Sequence, residues 1–177
     1  MTYVIVDFEA TCCNQNSFPR EEMEIIEIGA VAMGRKSLRS ESEFQSFVRP
    51  VRHPWLTDFC RSLTSISQEE VDSAPDFKSV LSNFREWLST LEDPVFCSWG
   101  AYDRVQLHQD CAFHDVEFPF GEDHINLKSM FAKTMGLRRP MGVGGALRKI
   151  GVEFEGTPHR GIDDARNIAV LASRVFA

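Results

Sequence analysis

No stretch of this chain approaches the roughly 20 consecutive apolar residues that a membrane-spanning helix requires, and its N-terminus is strand-like rather than basic and then apolar. A cytoplasmic protein without a membrane partner is the expectation. A cysteine pattern is lacking: Cys12, Cys13, Cys60, Cys97 and Cys111 are odd in number, irregularly spaced and include an adjacent pair. They match neither a disulfide framework nor a zinc spacing, so reduced, packing thiols are expected. Positive charge is also short, and the net charge of −7 argues against a protein that coats duplex DNA by charge alone. Repeats, low-complexity tracts and linkers are missing, and 177 residues suit one domain over residues 1–177.

The shortage of positive charge is uneven. Lys133 to Ala177 holds eight basic and four acidic side chains, against 11 and 22 in the preceding 132 residues. A basic C-terminal quarter on an acidic body offers local contact to a phosphate backbone.

What the chain does have begins at Thr2. Tyr3 to Val6 is a short β-branched, apolar run of the kind that makes a buried central strand, and it ends in Asp7-Phe8-Glu9. Strand side chains alternate, so Asp7 and Glu9 share one face while Phe8 points to the other. Two carboxylates in one small volume repel, and a hard divalent cation such as Mg²⁺ is the simplest group to sit between them.

An irregular loop over Cys12 to Glu22 leads to a second apolar run, Glu24 to Met33, and then to an alternating, edge-like third strand over Glu41 to Arg49. Short connections make these three an antiparallel meander. Glu27 lies inside the second strand. Alternation favours solvent for it; the other reading is a group behind the metal. A short helix is expected over Pro54 to Cys60, a capping box at Ser67 and Glu70, and an amphipathic helix over Asp76 to Leu91.

Pro94 to Ser98 reads as a buried strand and Tyr102 to Phe113 as the helix after it, with Asp103 in its first turn at a carboxyl-end crevice. Trp99 beside it is a candidate stacking surface for a base. A short strand over His124 to Leu127 and helices near Leu127 to Met135, Val143 to Ile150 and Ile162 to Phe176 complete the chain. The last helix opens with Asp163-Asp164, and His159 lies on the loop entering it.

The motifs VDFEAT, SWGAYD and HRGIDDARN occur in this order, and with EIIEIGAV, FQSFVRP and LTSISQEEVDSAP the sequence resembles the DnaQ-like 3′→5′ exonucleases of the DEDDh subgroup, close to their Eri-like RNA branch. The resemblance runs from Tyr3 to Ala169. It implies an α/β, RNase H-like fold: a mixed five-stranded sheet, three antiparallel strands followed by parallel crossovers, flanked by helices. It implies that Asp7, Glu9, Asp103 and Asp164 hold two Mg²⁺ ions, for which Mn²⁺ can substitute. Glu9 and His159 are then the catalytic pair, with His159 as general base. It selects Asp164 over Asp163, because the family histidine precedes its aspartate by five positions; successive helical residues point about 100° apart, so only one serves the metal, and Asp163 is left as a capping residue.

The same resemblance implies single-stranded nucleic acid as substrate, RNA favoured, shortened from the 3′ end to nucleoside 5′-monophosphates. Phe8 or Trp99 would lie against the terminal base, Glu9 and Ala10 near the sugar hydroxyls, and Arg138, Arg139 and Arg160 near upstream phosphates. Any additional RNA-binding module would come from a protein partner. Two alternatives stay open: a DNA-proofreading or short-oligonucleotide exonuclease, and a non-catalytic RNA- or protein-binding module of this fold.

Overall fold

In the computed structural model, which describes residues 1–14 and 17–177, the sheet is built outward from its first strand. Strand β1 (Thr2–Ala10) pairs antiparallel with β2 (Ile25–Gly34), which pairs antiparallel with β3 (Ser40–Phe47). On its other side β1 pairs parallel with β4 (Pro94–Ser98), and β4 with the short β5 (His124–Asn126). The order β3-β2-β1-β4-β5 is the expected mixed five-stranded sheet, with the meander at one side and the crossovers at the other.

Period-two alternation in β1 decides which helix covers which face. Val4, Val6 and Phe8 enter a core with Val80, Leu81, Phe84 and Leu88 of helix α3 (Phe77–Ser89) and Leu107 of α4 (Tyr102–Phe113). Tyr3 and Ile5 point the other way, towards Leu127 of α5 (Leu127–Thr134) and Ile162, Ala165, Ile168 and Ala172 of α7 (Gly161–Phe176). Asp7 and Glu9 continue the α7-facing series, so the face turns from apolar to acidic where the strand nears its end. A further cluster joins Phe131 of α5, and Ala146 and Leu147 of α6 (Val143–Lys149), to Leu171 of α7. Each fully buried Val, Leu, Ile or Phe among these contributes about 1.5–3 kcal/mol.

Two helix starts fall later than the sequence suggests. Helix α1 is Asp58–Thr64, not Pro54 onward, because the Thr57 hydroxyl accepts from the Cys60 N–H at 3.0 Å and caps there. Asp76 is the cap of α3 rather than its first residue, accepting from the Ser79 N–H at 2.8 Å. The capping box at Ser67 and Glu70 opens α2 (Gln68–Asp72) as expected. In the loop after β1 a 3-10 turn forms at Arg20–Glu22; Gln15 and Asn16 of that loop lie outside the described residues.

The glycine of EIIEIGAV has a steric cause. Gly29 pairs with Asp7, and a Cβ built on it would lie 2.1 Å from the Gly161 carbonyl carbon and 2.2 Å from the Ile162 nitrogen. The first turn of α7 therefore rests directly on the backbone of β2, a close approach that only a residue without a side chain allows. Gly29→Ala should cost about 3 kcal/mol in urea denaturation, with the α7 amides near Gly161 showing the largest chemical-shift changes; an unchanged midpoint would contradict this packing.

Candidate active site

The parallel pairing of β1 with β4 stops at Val6 and Ser98, while pairing with β2 continues to Ala10. Beyond Val6, one edge of β1 is therefore released from the sheet. The Phe8 N–H on that edge donates to Asp103 Oδ1 at 3.0 Å, which draws the first turn of α4 against the end of β1. Asp103 is 4% exposed, so it is not a solvated residue placed there for the helix dipole alone.

Helix α7 brings Asp164 to the same place from the other side. Oxygen atoms of Asp7, Glu9 and Asp164 all lie within 4.8 Å of one another. Asp103 stands beside this trio and lines the same cleft, about 450 Å³ in volume, together with Trp99, Tyr102, Val143, Arg148, Phe154 and His159. His159 is exposed on the rim with φ of 61°, a left-handed conformation uncommon outside glycine. Its N–H donates to Asp164 Oδ2 at 2.7 Å, tying the loop before α7 to the acid that α7 carries.

Burial and like charge act together on these groups. Burial first, then the charges of Asp103, Asp164, Glu9 and Glu27, push the Asp7 carboxyl well above its ordinary range. Glu9 rises to about 8, from burial and then from Asp164. Asp103 rises to about 6 through burial, opposed by the Phe8 N–H, and Asp164 is raised by burial against the His159 N–H. Among the described residues no lysine or arginine is ion-paired with any of the four. Clustered hard oxygen donors that repel one another fit a divalent cation.

Not every expected residue reaches the cleft. The Phe8 ring is 3% exposed and packs in the core near Phe96, so it does not face a base; only its backbone serves the site. Ala10 is buried outside the cleft lining, with its carbonyl accepting from Cys60 Sγ at 3.7 Å. Trp99 does line the cleft, its indole N–H fixed on the Met141 carbonyl at 2.9 Å. Arg138 and Arg139 are exposed on the loop before α6, away from the cleft lining.

Asp163 does not cap α7. Its carboxylate accepts from the Thr157 N–H at 2.9 Å and pairs with Arg166 at 3.2 Å, because a residue already inside the first turn faces the preceding loop. Arg160 is occupied by Glu27 at 3.2 Å and lies over the Phe47 ring, so it is not free for phosphate. Glu27 itself is fully buried, against the expectation of solvent, since α7 covers that face of β2. Sequence reasoning passed over Tyr102, Arg148 and Phe154. Tyr102 directly precedes Asp103, a position that signalled it; Arg148 and Phe154 carry no local signal.

No helix among the described residues is long and apolar enough to cross a membrane. A family model described as Exonuclease (RNase T) matches residues 4–172. ERI1 exoribonuclease 2 of Danio rerio is 37% identical over 194 residues, covering 98% of this chain and 34% of that protein. ERI1 exoribonuclease 3 of Homo sapiens is 34% identical over 186 residues, covering 98% of this chain and 54% of that protein. The chain thus spans about a third to a half of these relatives' lengths. The nuclease domain of 3′hExo, a DEDDh family member solved bound to rAMP, superposes with a TM-score of 0.90 at 34% identity, covering 98% of this chain and 90% of that one. The acidic cleft at the end of β1 is thus set in a chain that belongs, over nearly its whole length, to the exonuclease family, in the DEDDh group and beside the ERI1-type exoribonucleases.

Proposed function

We propose that this chain, as one domain over residues 1–177, is a metal-dependent 3′→5′ exonuclease of single-stranded RNA that releases nucleoside 5′-monophosphates. The observation that carries the reading is the convergence of Asp7, Glu9 and Asp164 within 4.8 Å, beside Asp103 and under an exposed His159. RNA is favoured because the relatives named above, at 34–37% identity, are exoribonucleases.

Asp7, Glu9, Asp103 and Asp164 would hold Mg²⁺, two ions in this reading, with Mn²⁺ able to replace it. Bound there, divalent cations supply a water of lowered pKa and neutralise charge on the phosphate. The imidazole of His159 accepts the proton of the attacking water as the new P–O bond forms and the bond from phosphorus to the 3′-oxygen breaks. The 3′-oxygen leaves on the shortened strand and takes a proton from solvent. Trp99, Tyr102 and Phe154 offer apolar walls for the terminal base.

Arg148 takes the phosphate role expected of Arg138, Arg139 and Arg160. It lines the cleft and is unpaired among the described residues. With a net charge of −7 the chain has little general attraction for RNA, which favours a protein partner that holds the substrate. The free cysteines among the described residues suit a reducing compartment such as the cytoplasm.

Incubation with 5′-labelled single-stranded RNA and Mg²⁺ should give a ladder shortening from the 3′ end, with little on the DNA counterpart and none in EDTA. Cleavage of circular RNA would exclude an end-acting enzyme. Asp7→Ala and Asp164→Ala should abolish turnover while melting cooperatively, and His159→Ala should slow single-turnover cleavage by roughly 10²–10⁴-fold.

Arg148→Ala should raise KM for RNA about tenfold with kcat nearly unchanged, as loss of one charge-assisted phosphate contact of about 1.4 kcal/mol requires. A drop in kcat alone would remove Arg148 from substrate binding.

Because Glu9 moves from its ordinary 4.5 to about 8, the folded chain holds a proton between those values that the unfolded chain has lost. In chelator, stability should therefore be full below about pH 4.5 and fall as pH rises towards about 8. Mg²⁺ favours the ionised carboxylates, so it should raise Tm more at pH 8 than at pH 5. Melting curves that rise with pH in EDTA would contradict the raised carboxyls.

A further inference from the structure

Helix α7 carries Asp164 and is entered from His159, yet it starts without a side-chain cap of its own: Arg160, at the capping position, makes no such bond. The acceptor comes from the far end of the sequence. Glu27 Oε2 accepts from the Gly161 N–H at 3.0 Å and from Arg160 Nε at 3.2 Å, and Glu27 Oε1 accepts from Gln45 Nε2 at 2.9 Å. Glu27 has no exposed surface, so these bonds replace its water entirely. It pairs in register with Glu9, one strand away, and its charge bears on both Asp7 and Glu9.

Three consequences follow from this geometry. Both oxygens of Glu27 are taken, so it is not a further cation ligand despite standing among the acids. A carboxylate on the positive end of a 16-residue helix is favoured by the dipole, and Arg160 offsets the rest of its charge. Arg160 is also within 3.9 Å of Glu70 and lies over Phe47, so its own position is held. The first turn of α7 is thereby fixed to β2 at one register and height, with the Gly29 contact beneath it.

We propose that Glu27 is a positioning residue of the active site: by capping α7 from β2 it sets Asp164 and His159 relative to Asp7 and Glu9. This rests on the exonuclease reading for its effect on turnover, but not for its effect on metal binding or on backbone exchange. Groups that support metal ligands from behind typically change affinity or activity by roughly 10–100-fold when removed.

The test compares wild type, Glu27→Gln and Glu27→Ala in three measurements: Mn²⁺ affinity by calorimetry, hydrogen exchange of amides 158–164, and steady-state cleavage of single-stranded RNA. Glutamine keeps one acceptor but turns an N–H₂ towards a donor. It should weaken Mn²⁺ binding about tenfold and alanine about 100-fold, with faster exchange at His159 and Gly161. kcat should fall alongside, while KM for RNA stays within about threefold. If alanine does not fold, glutamine decides alone. Unchanged Mn²⁺ affinity, or weaker affinity without faster exchange at 158–164, would overturn the proposal, the latter showing that only the charge matters. Wild type that binds Mn²⁺ yet leaves RNA intact would refute the nuclease reading and still allow Glu27 to be judged.

Discussion

Like-charged carboxyl groups held together with little water are the constraint to which the rest of this structure answers. Left to themselves, Asp7, Glu9, Asp103 and Asp164 would separate; burial above all raises their carboxyls, and the neighbouring acids add to it at Asp7 and Glu9. They stay together because each is fixed by something stronger than their repulsion. Asp7 and Glu9 ride on a strand paired to β2 along its whole length, Asp103 is bonded to the Phe8 N–H, and Asp164 belongs to a helix packed on the sheet through Ile162, Ala165, Ile168 and Ala172. The apolar core thus does more than stabilise: its helices hold in place a charge cluster that water would otherwise disperse.

The early end of β4 is what makes room for that cluster. Had β4 continued beside β1 past Ser98, the Phe8 N–H would have met a strand carbonyl and Asp103 would have had no reason to approach. Because β1 runs on while its parallel neighbour stops, a crevice opens at the carboxyl ends of the parallel strands, the usual binding position in such sheets. The same step explains why a residue in the first turn of α4 can be 4% exposed: it fills the space that β4 vacates.

This accounts for what could be read from the sequence. Asp7 and Glu9 on one face, the order of the elements and the amphipathic α3 are local properties, set by alternation and by apolar spacing, and they stand in the structure as read. The places of Glu27, Arg160 and Arg148 are not legible in the sequence because their surroundings are supplied from far along the chain. Glu27 meets Gly161 across 134 positions, and no pattern near either residue announces the meeting. Phe8 failed as a base contact for the opposite reason: alternation already turned it away from the acids, and the core cluster with Phe96 followed. Asp163 has the place of a cap near a helix start, but the first residue of α7 is Gly161, so Asp163 stands too deep in the turn to cap it.

His159 completes the site by being unlike the acids around it. The chain binds it through its backbone: the N–H is fixed on Asp164, φ is positive, and the side chain remains exposed on the rim. The ring is thereby kept near the acids without sharing their burial. In the proposed reaction a base and a metal-holding cluster make opposite demands on solvent, and one backbone hydrogen bond at the entrance of α7 sets an exposed imidazole beside buried carboxyls.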